Sequence, residues 1–135
     1  MIGISSILAP DYWYLRGFDP KAMEPYVDFF GFMGYDLHGY WDADIRTLGS
    51  TVRPQTDIRE IDKGLLPLWF AGVNPAKVNF GMAYYGRGYT LSDPACPWMG
   101  CSFSGPNRAG RCTGFDGVLS NYGEIAMEIQ LTIQY

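Results

Sequence analysis

The sequence predicts an α/β fold built on a parallel sheet, and two features of residues 1–89 lead to this prediction. Short apolar runs alternate with segments that carry helix-start signals, in the order strand, helix, strand, helix, strand. The links between these segments are short, which is typical of parallel strands joined by crossover helices. In such folds the chemistry lies at the carboxyl ends of the strands, so residues just after each strand are the first candidates for a site.

The first half of this pattern is a strand, a short helix and a second strand. The apolar run at residues 2–8 predicts the first strand. Asp19 followed by Pro20 predicts the start of a helix that ends near Tyr26, because Asp caps free N–H groups and Pro suits the first helical position. Residues 29–35 predict the second strand, and their lack of alternation is the pattern of a strand covered on both faces.

A second helix and a third strand complete the pattern after a polar loop. Asp57 and Glu60 have the spacing of a capping box, which predicts the start of the helix. Pro67 is expected to kink or end that helix, because proline lacks the N–H that a helix interior needs. Residues 77–83 predict the third strand. The apolar residues that fall on one face of the predicted helix are Ile58, Ile61, Leu65, Leu68 and Trp69.

The composition fits one globular domain and argues against two classes of partner. The chain has 135 residues, of which 47% are hydrophobic, and a formal net charge of -4. It has no run of Lys or Arg of the kind that nucleic acid or an anionic membrane surface requires. No apolar stretch is long enough to cross a membrane, and the apolar opening lacks the basic residues of a signal peptide. We therefore expect no nucleic-acid partner, no membrane partner and no signal peptide in this chain.

The texture of the chain changes after residue 89. Residues 90–121 carry three cysteines and three prolines with few aliphatic runs, which predicts an excursion tied by disulfide chemistry. The disulfide candidates are Cys96, Cys101 and Cys112, and at least one of them must lack a partner inside this chain. A zinc site is the weaker alternative, because no Cys-x-x-Cys pair occurs and the lone His38 is distant in sequence.

Polar residues with useful chemistry follow the predicted strands. Tyr35 and Asp36 end the second strand and Arg87 ends the third, so parallel pairing would bring a hydroxyl, a carboxylate and a guanidinium to one edge. The alternative is that Tyr35 covers the core and Asp36 caps a turn. His38 alone indicates neither a metal nor a base. Trp41 lies in a polar loop with no adjacent apolar run to pack against, which favours a role in stacking on a flat ligand.

Three motifs, in order, resemble one enzyme family. Residues 33–42 read MGYDLHGYWD and resemble the Met-x-Tyr-Asp segment of family 18 glycoside hydrolases, the chitinases. Residues 77–89 read KVNFGMAYYGRGY and resemble that family's later strand, which ends in Tyr-Gly-Arg and an aromatic residue. Residues 96–125 resemble the cysteine-bearing start of the α+β insertion domain in fungal-type, killer-toxin-like members. Residues 11–20, DYWYLRGFDP, fit the preceding strand-to-helix loop of that group.

The resemblance implies an architecture and a cellular context. It implies an α/β fold that is part of a TIM (β/α)8 barrel, with residues 1–89 as the central part of the catalytic barrel. Residues 90–135 would be the truncated beginning of the cysteine-containing α+β insertion domain. The parent protein would be secreted and would bind chitin or chito-oligosaccharides, with no cofactor and no metal. The oligomeric state is left open.

The resemblance also implies roles for single residues. Tyr35 would be catalytic by hydrogen-bonding the N-acetyl group of the substrate, and Asp36 by orienting the sugar in the cleaved subsite. Trp41 would stack on a sugar ring beside the scissile bond, and Arg87 would contact sugar hydroxyls. The implied substrate-binding residues are Met33, Trp41, Arg87 and Tyr89, and the cluster Tyr12, Trp13 and Tyr14 is a further candidate for lining the cleft.

One departure from the family pattern concerns the proton donor. The resemblance implies that the acid is the glutamate of a D-x-x-D-x-D-W-E segment on the strand before the first one of this chain. Within the 135 residues Trp41 is followed by Asp42, and no Trp-Glu pair occurs. We therefore expect these 135 residues to be a fragment that is at best feebly hydrolytic. The complete protein would cleave β-1,4-N-acetylglucosamine linkages by substrate-assisted retaining catalysis. The alternative is a non-catalytic chitin-binding or lectin-like relative.

Overall fold

The computed structural model describes residues 2–121, and these residues divide into two compact units. The first unit comprises the described residues up to Leu37 together with Thr56–Met82, and the second comprises His38–Gln55 together with the described residues from Ala83 onward. The units do not follow the boundary after residue 89, so the assignment of residues 90–135 to an insertion domain stays a prediction. Part of that prediction falls on residues 122–135, which lie outside the described residues.

A parallel sheet forms the centre of the first unit, as the alternating pattern predicts. Its register pairs Leu8 with Phe32 and Phe32 with Phe80, so the second strand is the middle one. The strands are shorter than predicted because the ladder stops where the neighbouring strand stops. Ile4 lies outside it and instead exchanges hydrogen bonds with the backbone and side chain of Asp28. The strands are β1 (Ser5–Leu8), β2 (Phe29–Met33) and β3 (Val78–Gly81).

Each helix of the first unit begins at a side-chain cap. The carboxylates of Asp11, Asp19 and Asp57 accept backbone N–H groups of the first turn that follows them. The cap at Asp11 starts a four-residue helix that the sequence pattern does not predict. The helices are α1 (Tyr12–Leu15), α2 (Pro20–Met23), which continues as a 3-10 turn (Glu24–Tyr26), and α3 (Ile58–Phe70), with a further 3-10 turn at Pro75–Lys77.

Helix α3 does not end at Pro67, so that alternative in the prediction is wrong. The helix continues to Phe70, and the N–H of Ala71 bonds to the carbonyl of Pro67 at 3.0 Å. The last turn is retained because Leu68 is buried in the core, which outweighs the single backbone bond that proline removes. Close packing explains the glycine at position 64 within this helix, since a Cβ on Gly64 would collide with the carbonyl oxygen of Pro10.

The core of the first unit lies on one face of the sheet. Phe30 and Phe32 are 0% and 1% exposed, whereas Phe29, on the opposite face of β2, is 42% exposed. The prediction that β2 is covered on both faces is therefore wrong for residues 2–121, because the helices of the unit bury only one set of its alternating side chains. The core residues are Leu8, Leu15, Phe30, Phe32, Ile61, Leu68 and Val73.

The second unit is built from short antiparallel pairs. Strand β4 (Tyr85–Arg87) pairs with β7 (Val118–Ser120), and β5 (Tyr89–Leu91) pairs with β6 (Phe103–Pro106). A 3-10 turn, Tyr40–Asp44, precedes them in the chain. Of the three candidate cysteines, Cys96 and Cys101 form a disulfide, and Cys112 is an exposed free thiol.

The placement of Arg87 differs from the prediction. The parallel strand β3 ends at Gly81, and Tyr85–Arg87 is a separate strand in the second unit. The side-chain amide of Gln55 donates to the carbonyl of Tyr85 at 2.6 Å, which holds this segment to the loop 38–55. The prediction that Arg87 ends a strand of the parallel sheet is therefore wrong.

The described helices include none that fits a lipid bilayer. The longest, α3, has 13 residues, and no helix within residues 2–121 has both the length and the apolar character that a crossing requires.

The cap at Asp57 gives a testable pH dependence. Hydrogen bonds from the Arg59 side chain and backbone lower the pKa of Asp57 from 3.8 to about 2. A carboxylate whose pKa is lower in the folded than in the unfolded state stabilises the fold at pH values above its unfolded-state pKa. This contribution is lost as the pH falls through the folded-state pKa of about 2. We expect Asp57→Asn to lower the melting temperature at pH 7, and we expect this difference to shrink towards zero near pH 2. Circular dichroism at a series of pH values measures both.

A matched control for this prediction lies on the same helix. Asp62 is an exposed carboxylate in the interior of α3 and occupies no cap position. Asp62→Asn should therefore give a smaller change in melting temperature at pH 7 than Asp57→Asn. Equal losses for the two variants, or a loss for Asp57→Asn that does not vary with pH, would contradict the prediction.

Candidate functional site

A cavity opens in the first unit where β1 and β2 end. Its volume is about 500 Å³, and it lies at the carboxyl edge of the parallel sheet, where α/β folds place their chemistry. The cavity brings together three residues that the sequence selects, Met33, Tyr35 and Asp36. Its full lining is Ile7, Ala9, Pro10, Asp11, Tyr14, Phe18, Met33, Tyr35 and Asp36.

The backbone that leads into this cavity is held from two sides. The hydroxyl of Thr56 donates to the carbonyl of Gly34 at 3.3 Å, which fixes the residue just after β2. The ring of Tyr35 lies over Gly81 of β3, since a Cβ at Gly81 would be 3.2 Å from the ring and 2.8 Å from the carbonyl oxygen of Phe32. Glycine at that position therefore leaves the space that the Tyr35 ring occupies.

Asp36 has an unusual backbone conformation. Its φ is +57°, and within residues 2–121 it is the one residue other than glycine with a positive φ. Successive side chains of an extended strand point to opposite faces, so two adjacent residues that line one cavity require a departure from the extended backbone. The left-handed conformation of Asp36 is that departure, and it brings Tyr35 and Asp36 to the same cavity. Such conformations concentrate at functional sites.

The cavity wall opposite the end of β2 comes from the loop and helix after β1. The carboxylate of Asp11 accepts the N–H of Tyr14 at 3.2 Å, so this residue both lines the cavity and starts α1. Tyr14 is the member of the Tyr12, Trp13 and Tyr14 cluster that lines the cavity. Trp13 instead stacks with Arg16, whose guanidinium carbon is 3.5 Å from the ring centroid. Asp11 was missed by the sequence reasoning, although its position before an aromatic run is a helix-start signal.

The second unit brings together Trp41 and Arg87. The guanidinium carbon of Arg87 is 5.0 Å from the ring centroid of Trp41 and 5.2 Å from that of Tyr85. These are distances at which a cation and an aromatic face attract each other. The ring of Tyr40 meets that of Trp41 edge-on, with centroids 5.7 Å apart. The arrangement offers aromatic surface and a cationic hydrogen-bond donor in one place.

Tyr89 is engaged inside the second unit. Its hydroxyl donates to the carbonyl of Arg53 at 3.0 Å, and its ring packs on Phe103 with centroids 4.8 Å apart. Burial raises the pKa of Tyr89 above its ordinary value of 10.0, so the phenol keeps its proton at neutral pH and continues to donate. Because the hydroxyl already donates to the backbone, any contact of Tyr89 with a substrate would be made through its aromatic ring.

The single histidine of the chain is buried beside two charged side chains. Nδ1 of His38 is 2.7 Å from Oδ2 of Asp42, and Nη1 of Arg53 is 3.7 Å from the same oxygen. His38 is 7% exposed and Asp42 is 1% exposed. The sequence reasoning considered His38 alone and missed this pair. Among residues 2–121, no group of three or more histidine, cysteine or acidic side chains is arranged to hold a metal ion.

Known protein sequences match the chain along most of its length. A family model described as "Glycosyl hydrolases family 18" matches residues 2–128. "Probable chitinase LysM11" and "Secreted chitinase LysM12" of Penicillium expansum are 35% identical over 129 and 128 residues, and the "Killer toxin subunits alpha/beta" of Kluyveromyces lactis is 34% identical over 119. The matches cover 87%, 86% and 87% of this chain but 12%, 8% and 10% of those proteins. The chain thus spans a minor part of these relatives.

Solved structures share the fold of the chain. A Group IV chitinase of Ostrinia furnacalis in complex with allosamidin superposes with a TM-score of 0.79 at 21% identity, covering 96% of this chain and 37% of that one. A GH18 chitinase of Cycas revoluta in complex with (GlcNAc)3 superposes with a TM-score of 0.72 at 21% identity, covering 93% of this chain and 35% of that one. These structures are TIM barrels, so the chain has the fold of part of such a barrel.

Proposed function

Because the chain belongs to glycosyl hydrolases family 18, we propose that it is part of a chitinase that cleaves β-1,4-N-acetylglucosamine linkages. The observation that carries the proposal is the cavity at the end of β2, which Met33, Tyr35 and Asp36 line together. The left-handed backbone at Asp36 gives further support, because this conformation is costly and lets two adjacent polar residues face one ligand.

The proposed reaction is substrate-assisted hydrolysis with retention of configuration. The acetamide oxygen of the sugar attacks the anomeric carbon, while an acid protonates the leaving glycosidic oxygen. The hydroxyl of Tyr35 donates to the acetamide and holds it beneath the ring, and the carboxylate of Asp36 orients the sugar in the cleaved subsite. A near-attack geometry that is fixed in advance removes much of the entropic barrier, so positioning is the main contribution of these two residues.

The second unit has proposed sugar contacts of its own. The ring of Trp41 stacks on a sugar face, and Arg87, which lies beside that ring, donates to sugar hydroxyls. Tyr89 contributes its ring, since its hydroxyl is bonded to the backbone of Arg53. Met33 contributes apolar surface within the cavity of the first unit. Chitin or chito-oligosaccharides are the proposed ligands, and the parent protein is proposed to act outside the cell.

A second candidate function is considered because the 135 residues contain no counterpart of the family's acid. The residue after Trp41 is Asp42, and the 135 residues contain no Trp-Glu pair. A family relative without that acid would keep its sugar contacts and bind chitin without cleaving it, because binding requires the contacts alone while turnover requires the proton. The two functions therefore share their binding residues and differ in catalysis.

Binding of chitohexaose to the chain tests the part that both functions share. Isothermal titration calorimetry should show binding, and Trp41→Ala should weaken it by roughly 3- to 10-fold, because the stacking surface is lost. Trp98→Ala is the matched control, since Trp98 lies in the same unit and is 73% exposed. Equal affinities for the chain and Trp41→Ala would remove Trp41 from the proposed site.

A further inference from the structure

We infer that His38 and Asp42 form a buried clamp that positions the ring of Trp41 for sugar stacking. The two residues, called the His38–Asp42 clamp below, are positioning residues, because neither is exposed enough to contact a sugar itself. The inference rests on the proposed sugar contact of Trp41. It assigns a role to His38 and Asp42, which take no part in the proposed reaction.

The clamp is a charge-assisted hydrogen bond between residues four positions apart. A carboxylate only accepts, so Nδ1–H of His38 donates to Oδ2 of Asp42, at 2.7 Å. The Asp42 side chain is 1% exposed, and a buried carboxylate is costly unless it is paired. Replacing His38 therefore removes the closest partner of a buried charge, and the turn that carries this charge must respond.

The turn that the clamp closes is the one that carries Trp41. Asp42 lies in the 3-10 turn Tyr40–Asp44, and its N–H bonds to the carbonyl of Gly39 at 3.0 Å. The segment between His38 and Asp42 is therefore closed by this backbone bond and by the side-chain bond of the clamp. The ring of Trp41 lies directly on Gly39, where a Cβ would collide with it. The ring is therefore seated on the backbone next to His38, and its position follows the geometry of that turn.

Arg53 connects the clamp to the far end of the same loop. Its Nη1 is 3.7 Å from Oδ2 of Asp42, and its Nη2 donates to the carbonyl of Leu48 at 2.9 Å. The buried carboxylate of Asp42 thus interacts with residues near both ends of the loop 38–55, His38 and Arg53. This leaves Trp41 with little freedom in the unbound state, which reduces the entropy that is lost when a sugar stacks on it.

The first measurement follows the Trp41 ring without any sugar. In a 15N–1H spectrum of the 135-residue chain, the indole resonance that disappears in Trp41→Ala belongs to Trp41. We expect His38→Gln to shift or broaden this resonance and to leave those of Trp13 and Trp69 in the first unit unchanged. His38→Asn should restore it, because a carboxamide N–H can take the place of Nδ1 whereas the longer Gln side chain places its amide elsewhere.

The second measurement follows binding. His38→Gln should weaken the affinity for chitohexaose by roughly 3- to 10-fold, close to the loss for Trp41→Ala. The double variant His38→Gln/Trp41→Ala should bind no more weakly than Trp41→Ala alone, because the two residues act through one contact. His38→Asn should bind like the unchanged chain.

The outcomes separate the inference from the proposed function. An unchanged Trp41 resonance in His38→Gln, equal behaviour of the Asn and Gln variants, or losses of affinity that add in the double variant would each overturn the clamp. If the resonance responds as expected but Trp41→Ala binds chitohexaose normally, the proposed stacking role of Trp41 fails, and with it the role of the clamp in binding. If the resonance responds and the affinities do not add, both stand.

Discussion

The purified 135-residue chain is expected to hydrolyse chitin at best feebly, and joining it to an upstream segment with a D-x-x-D-x-D-W-E motif is expected to raise turnover by roughly 100- to 10,000-fold. That range is the typical worth of a general acid. The leaving glycosidic oxygen needs a proton, and the chain offers Tyr35 and Asp36, the proposed positioning residues, without a counterpart of the family's acid. Positioning alone leaves the leaving group unprotonated, so the missing step is the one that limits turnover.

The experiment compares the chain with a fusion to an upstream segment that carries a D-x-x-D-x-D-W-E motif. Product release from chitohexaose is measured by chromatography for both proteins. Replacing the glutamate of the upstream motif by glutamine is the control, because glutamine keeps the size of the side chain and cannot donate an acidic proton. In the active fusion, Tyr35→Phe should also lower kcat, since the acetamide loses its hydrogen-bond donor.

Three results would change the assignment. Hydrolysis by the chain alone at the rate of the fusion would show that another group supplies the proton. Full activity of the glutamine control would show the same for the fusion. Binding of chitohexaose by the fusion without any turnover would favour the non-catalytic chitin-binding relative over the chitinase.

The parallel sheet of the first unit could be predicted because its signals are local. Apolar runs mark β1, β2 and β3, and the carboxylates of Asp19 and Asp57 mark two helix starts. Strand ends were less accurate, because a ladder ends where its neighbour ends and the sequence of one strand does not contain that information. Helix α1 was missed because four bulky residues give no helical period, and only the cap at Asp11 marks it.

The sequence predicts those site residues whose positions are set by the parallel sheet. It does not predict those whose positions are set by the conformation of a loop. Tyr35 and Asp36 reach the cavity because they follow a central strand, which the sequence shows. The left-handed backbone of Asp36 leaves no specific signal in residue type, since Asp is tolerated in that conformation but is also common in ordinary turns. Arg87 was misplaced because the run from β3 into β4 is nearly all apolar or aromatic, which hides the break after Gly81.

The His38 and Asp42 pair shows a different limit. The sequence places a histidine and a carboxylate four residues apart, but this spacing indicates contact only in a helix, and the segment was taken as a loop. The tight turn that brings them together is closed by the Asp42 N–H on the carbonyl of Gly39 and carries the ring of Trp41 on Gly39, both contacts between neighbours in a loop. Patterns of hydrophobic periodicity carry no information about such contacts.

Phe30→Ala is expected to cost about 3–5 kcal/mol of folding free energy, the range for a fully buried phenylalanine. Phe30 is 0% exposed in the middle strand of the parallel sheet, where it opposes Ser6 of β1 and Val78 of β3. A domain is stabilised by only about 5–15 kcal/mol, so this change removes a large part of the total. Urea denaturation followed by circular dichroism measures the loss.

Phe29→Ala is the matched control for that prediction, because it removes the same side chain from the adjacent position on the other face of β2. Phe29 is 42% exposed, so its loss should cost less than about 1 kcal/mol. Equal costs would mean that both faces of β2 are covered in solution and that the one-sided core is wrong. Since Tyr35 and Asp36 follow β2 after a single residue, Gly34, we expect Phe30→Ala to weaken chitohexaose binding as well. Phe29→Ala should leave binding close to that of the unchanged chain.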